Sequence, residues 1–186
     1  IAAWFVLAAG STVCSYDDAP PFELKIEQLT SGSKHHFFGY IGQCRTVPWN
    51  EGDRYILGME IEKIDRMPKP GEAASIILVD TKEGNKIIRL DKTYAWNPQQ
   101  GTMFYWNPQA ARTQFFFNDR EPESGRVFTV LYDIEKRKRI REYRDQEAPI
   151  GNGGVAQNGG AFLGLNYGRL ARLRLVTGYP GALDWS

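Results

Sequence analysis

A pattern of short apolar strands separated by turn residues recurs along this chain with a period of about 54 residues, and no other feature restricts the fold as strongly. In the first copy, the turn Pro48-Trp49-Asn50-Glu51-Gly52-Asp53 leads into a strand over 54–62. Strands over 75–80 and 86–90 then flank the turn Thr81-Lys82-Glu83-Gly84-Asn85. The second copy has a strand over 102–106, the turn Asn107-Pro108-Gln109-Ala110-Ala111, and strands over 113–118, 127–133 and 138–143. Val79-Asp80 and Tyr132-Asp133 end equivalent strands, while Asn50-x-Gly52 and Asn158-x-Gly160 precede equivalent strands two periods apart. A third copy therefore begins near Ala156 and runs into a strand over 162–166, and a separate strand is expected over 22–29.

A four-stranded unit of this kind exposes two faces and must bury them against neighbouring units. The repeat accordingly predicts an all-β fold, a β-propeller built of four-stranded antiparallel blades at 29–91, 92–146 and 151–186. Propellers close with four to eight blades, so about two and a half predict an incomplete ring. No helix is expected, because the one candidate segment, 62–74, contains Pro68 and Pro70.

Composition agrees with many strands and turns. Aromatic residues make up 13%, with 19 glycines and 10 prolines. The 23 basic residues balance 22 acidic ones, which leaves no global field to draw nucleic acid or an anionic membrane. Ile1 to Gly10 is uniformly apolar but too short to span a bilayer, and it reads as the clipped core of a signal peptide. Cleavage after Gly10 would place Ala8 at the −3 position, and residues 1–21 then form signal and linker with no membrane contact after removal. A buried first strand and a lipid anchor at Cys14 are the alternatives, although Ser11-Thr12-Val13 lacks the leucine usual before an anchor. Cys14 and Cys44 are too few for a disulfide framework. They read as two separate thiols, with a pair between them open in an oxidising compartment.

Three segments carry candidate chemistry. Lys34-His35-His36-Phe37-Phe38-Gly39-Tyr40 holds both histidines; on a strand they point to opposite faces, so they do not share an ion, and one can face the central channel. The alternative is a pair of hydrogen-bonding residues at the rim or between blades. Tyr94-Ala95-Trp96-Asn97-Pro98-Gln99-Gln100-Gly101 occupies the corresponding place in the second blade. Its aromatic rings and amides suit sugar stacking and hydroxyl recognition, or else turn formation and packing. Arg169, Arg172 and Arg174 can clamp carboxylates, or form a solvated charged loop. The run Glu135-Lys136-Arg137-Lys138-Arg139-Ile140-Arg141 falls on an outer hairpin, where Lys and Arg discourage pairing with other chains. Phosphate-cradling glycine loops, a nucleophile elbow and HExxH are missing from the sequence. The carboxylates fall mostly in turns, so no acid–base pair for glycoside hydrolysis stands out.

Leu29-Thr30-Ser31-Gly32, followed by His35 to Tyr40 and Pro48-Trp49, resembles the opening blade of propellers of the oligogalacturonate lyase type. Ala95-Trp96-Asn97-Pro98-Gln99-Gln100-Gly101 is similar to a second-blade motif of the same group, and the likeness extends over 23–179. The resemblance implies a seven-bladed ring, export to the periplasm or medium, and β-elimination on acidic uronate oligosaccharides assisted by a divalent metal such as manganese. In that chemistry a base removes the C5 proton while a cation neutralises the neighbouring carboxylate. The family's metal-binding histidines belong to later blades, and this chain has none after His36, so neither metal ligands nor catalytic residues are assigned in it. His35, His36, Gln99, Gln100, Arg169 and Arg172 are expected to line the channel mouth and bind substrate. The expected activity is that of a polysaccharide lyase in the full-length ring, with these residues alone inactive and the C-terminal blades as their structural partner. A non-catalytic envelope propeller that binds carbohydrate or protein is the alternative, and a propeller accessory domain of a peptidase is a third reading.

Overall fold

A computed structural model describes residues 24–39, 46–62 and 65–184. The expected signal segment, Cys14 and Cys44 lie outside the described residues. The described chain forms antiparallel sheets of four, four and two strands. The first comprises β1 (His35–Phe37), β2 (Tyr55–Ile61), β3 (Ala74–Asp80) and β4 (Lys86–Thr93), paired in chain order. The second repeats that arrangement with β5 (Tyr105–Trp106), β6 (Gln114–Arg120), β7 (Val127–Asp133) and β8 (Lys138–Tyr143). A hairpin of β9 (Gly151–Val155) and β10 (Phe162–Leu165) follows.

Burial along each strand reports its place in the sheet. Every residue of β7 is buried, and β3 is covered almost throughout, as interior strands with packing on both faces require. β4 and β8 consist almost wholly of exposed and half-buried positions and carry the Lys and Arg residues expected of sheet edges. Each sheet also shifts register between its third and fourth strands, at Ile76/Ile77 and at Leu131/Tyr132. Both sheets therefore carry an irregularity on the same pair of strands, at positions two residues apart when Asp80 and Asp133 are aligned. Residues 24–29 depart from expectation: they pair with no strand, and Leu24 and Ile26 are exposed. Apolar alternation alone does not make a strand when no neighbour supplies the ladder of hydrogen bonds.

The first two sheets bury a common layer. Leu57, Met59 and Ile61 of β2 and Ala74, Ile76 and Leu78 of β3 meet Phe115, Phe117, Phe128, Val130 and Tyr132 of β6 and β7. Phe115 is fully buried at the centre, with ring centroids of Phe104, Trp106, Phe117 and Tyr132 5.4–6.1 Å away. Polar ties cross the same layer. The indole of Trp106 donates to Pro48 O at 2.9 Å and that of Trp96 to Glu72 O at 2.8 Å. At the outer edge, Arg139 of β8 reaches Asp91 at 2.8 Å and Asp119 at 2.8 Å, and its guanidinium stacks on the Phe117 ring.

The opposite face of the second sheet receives the hairpin. Tyr143 and Phe162 meet edge to face at 5.4 Å. Asn118 Oδ1 accepts from Asn152 N at 2.7 Å, and Asn118 Nδ2 donates to Asn152 O at 2.9 Å. Beyond β10 the expectation of an all-strand chain fails. Residues Tyr167–Leu173 form a helix, α1, and Leu175–Thr177 a 3-10 turn. Asn166 caps α1 by accepting from Arg169 N at 2.8 Å, and the good helix formers Arg169, Leu170, Ala171, Arg172 and Leu173 complete it. A helix of two turns shows too few periods to be read from apolar spacing. Tyr167 of α1 stacks on Tyr179 at 4.3 Å, both fully buried.

Removing the central ring should expose how far the two sheets depend on each other. Phe115→Ala is expected to lower the unfolding free energy by about 3–5 kcal/mol, measured by urea denaturation, with both sheets losing hydrogen-exchange protection together.

Candidate functional site

The first strand places the histidines on opposite faces, with His35 paired to Ile61 and His36 to Glu60. His35 is exposed. His36 is engaged at both ring nitrogens, Nδ1 with Thr30 Oγ1 at 2.9 Å and Nε2 with Glu60 Oε2 at 3.2 Å. Glu60 was missed by the sequence reading, yet it organises this cluster. Its carboxylate is buried in β2, accepts from Arg89 Nε at 2.8 Å and Nη2 at 2.7 Å, and lies 3.4 Å from Lys34 Nζ. The Arg89 hydrogen bonds hold the Glu60 carboxyl at about 2 against the upward push of burial, and His36 and Lys34 add to the effect. A carboxylate inside the apolar run Tyr55–Ile61 was the available signal, because such a group must find cations.

Trp96-Asn97-Pro98-Gln99 and Trp106-Asn107-Pro108-Gln109 are the same four residues in two places. In both, the asparagine side chain builds the turn. Asn97 Oδ1 accepts from Gln99 N at 3.0 Å and Gln100 N at 2.8 Å, and Asn107 Oδ1 from Gln109 N at 3.1 Å. Asn50, preceded by Trp49, does likewise for Arg54 N and Tyr55 N. Gln99 is exposed on its turn. Gln100 is buried and donates to Thr177 O at 3.0 Å, while Asn97 Nδ2 donates to Gly178 O at 2.8 Å. The turn also abuts the end of β1. A Cβ on Gly101 (φ +62°) would lie 2.5 Å from Phe38 O, and one on Gly39 (φ +113°) 2.5 Å from Gln100 O. Backbone contact thus joins the 35–39, 97–101 and 177–178 segments in one row.

Arg169 and Arg172 do clamp a carboxylate, and it belongs to this chain. Their Nε atoms lie 3.3 Å and 2.5 Å from the two oxygens of Asp184. Burial raises the Asp184 carboxyl, and the two guanidiniums, Arg172 first, more than offset it, so its pKa stays below the usual range. Both arginines are thus engaged within the segment 169–184, whereas His36 is engaged by Thr30 and Glu60.

Among the described residues, no three His, Cys, Asp or Glu side chains converge as a metal site. With both His36 nitrogens engaged and His35 on the other face, the described residues do not fit the divalent cation implied by the resemblance. A concavity of about 570 Å³ lies elsewhere, between the first two sheets. Its floor is aliphatic: Leu78, Ile88, Leu90 and Ile134. Its rim is formed by the repeated turns, with Arg54, Lys82, Arg112 and Arg137 set beside Glu51 and Glu135. Arg54 is held by Asp80 at 2.7 Å, and Arg112 faces Glu51 at 3.8 Å. A neighbouring hollow of about 420 Å³ contains Val47 and Trp49, both exposed. No protein-family model matches the chain, and searches of curated proteins and of solved structures return no match.

Two measurements probe the row and its buried carboxylate. The Glu60 carboxyl drops from 4.5 unfolded to about 2 folded, so its contribution is fully present above pH 4.5 and is lost as pH falls to about 2. Urea midpoints are expected to reveal roughly 3 kcal/mol of such pH dependence, absent from Glu60→Gln. Gly101→Ala should destabilise the protein by at least about 1 kcal/mol, since the new methyl meets backbone at a positive φ.

Proposed function

We propose that the two four-stranded sheets and the hairpin are blades of a β-propeller-type stack, and that this part of the protein binds a partner without catalysing a reaction. The repeated meander and the face-to-face packing support the blade reading. The observation that carries the binding reading is the groove of about 570 Å³ between the two sheets, a size and lining suited to a ligand site. The polar groups chosen for chemistry are, by contrast, mostly consumed in holding the fold: His36 by Thr30 and Glu60, Gln100 by Thr177, and the two arginines by Asp184.

Recognition of an acidic oligosaccharide by an exported propeller is the second reading, and one feature favours it. Trp49 is 45% exposed in the hollow beside the groove and offers a ring face on which a sugar can stack. A lyase of the oligogalacturonate type would need a base and a cation site, and of the six candidates four, His36, Gln100, Arg169 and Arg172, already have partners within the fold.

Incubation with polygalacturonate and manganese separates binding from catalysis. The expected outcome is no ultraviolet-absorbing unsaturated product above background. Product formation that disappears in His35→Ala or His36→Ala would overturn the non-catalytic reading.

A further inference from the structure

The groove between the sheets has an asymmetry that the repeat makes visible. The β3–β4 and β7–β8 turns hold the same place in their sheets, with five residues (81–85) in the first and four (134–137) in the second. The first ends on Gly84 and Asn85 in the left-handed region, at φ 63° and 60°, and the second on Arg137 alone, at φ 51°. Glycine adopts that conformation freely, whereas a side chain with a Cβ does so at a cost of about 1–2 kcal/mol. The second turn therefore holds an arginine in a conformation that the first fills with glycine and asparagine, the residues that adopt it most readily. Arg137 is exposed, and no carboxylate lies within ion-pair distance among the described residues, so packing does not account for it. It stands on the groove's rim. Backbone strain retained without a structural return is characteristic of functional positions.

The chemistry around Arg137 narrows the occupant. Arg54 is neutralised by Asp80 and Arg112 by Glu51, which leaves Lys82 and Arg137 against Glu135. The rim keeps a net positive charge above the aliphatic floor of Leu78, Ile88, Leu90 and Ile134. An apolar floor within a polar, arginine-bearing rim is the anatomy of a protein-binding surface. The one aromatic ring in the groove, Tyr55, has the Arg54 guanidinium 4.9 Å over its face, which denies that face to a sugar.

We propose that the groove between the first two sheets receives an acidic peptide segment, an aliphatic or aromatic side chain seated on the floor and its flanking carboxylates held by Arg137 and Lys82. This rests on the binding reading above and names its partner. Steering by two unpaired cations gives the interaction a marked salt dependence.

Fluorescence anisotropy with a labelled octapeptide, a central leucine between two pairs of glutamates, tests the assignment on the whole chain. Saturable binding is expected, weakened tenfold or more by Arg137→Gly, by Lys82→Glu, or by serine in place of the peptide's leucine. Arg137→Gly should leave Tm unchanged or raise it by about 2–4 °C, because it relieves the turn. That combination separates a ligand-holding role from a structural one. Absence of binding at millimolar protein, or equal binding by Arg137→Gly, would overturn the proposal. So would trigalacturonate that binds as tightly and is equally sensitive to Arg137→Gly; that result would assign the groove to an acidic sugar and leave the binding reading intact. Turnover of polygalacturonate is the separate result that removes the binding reading itself.

Discussion

Neither four-stranded sheet can bury both of its faces within itself, and the layer where they meet is the constraint on which the rest of the structure depends. Phe115, Phe117, Phe128, Val130 and Tyr132 fill the space over Leu57, Met59, Ile76 and Leu78, and apolar burial of this extent is the main favourable term available to such a fold. Because both sheets are meanders of the same sense, their joining aligns first strand with first strand and turn with turn. The Trp-Asn turns meet at one end of this layer: Glu51 N donates to Ala111 O at 3.0 Å and Asn50 Nδ2 to Arg112 O at 2.9 Å. The groove is a consequence of the same alignment, since equivalent hairpins flank it on either side.

Polar groups enclosed by this packing must be satisfied internally. Arg120 is 2% exposed and spends its guanidinium on backbone carbonyls of Pro70, Tyr94 and Glu121. Burial lowers its pKa, with the Asp119 carboxylate opposing the shift. Asn118, two residues earlier on β6, is a second such hub. It contacts Thr129, Asn152 and Tyr179, while its own carbonyl accepts from the hydroxyls of Thr93 and Thr102. These networks fix how the hairpin and the 178–184 segment sit against the second sheet. They also explain why His36, Gln100, Arg169 and Arg172, chosen for their chemistry, are largely occupied by structural partners.

Strands are legible in the sequence because their signal is local. Val127–Asp133 and Lys138–Tyr143 fall on the expected residues, and β2, β3 and β6 differ from expectation only at their ends. The helix Tyr167–Leu173 was not legible, because two turns provide little periodicity and Gly168 interrupts its helix formers. The separate strand over 22–29 was not realised in its described part, for want of a pairing partner. At the candidate site, the repeated Trp-Asn-Pro-Gln and the charge within β2 were present to be read and would have pointed to the turns and to Glu60.

The sequence by itself determined the repeat, the order of interior and edge strands, and the residue types available for chemistry. These follow from alternation and turn composition over a few neighbouring residues. Only the tertiary structure decided which polar side chains are committed. Glu60 meets Arg89 across an intervening strand, Arg169 and Arg172 close on Asp184, and Gln100 reaches Thr177, a residue from the third unit. It also decided that Lys82 and Arg137 share one groove. Such choices depend on how sheets stack and on the need to pair buried polar groups, and neither leaves a local mark in the order of residues.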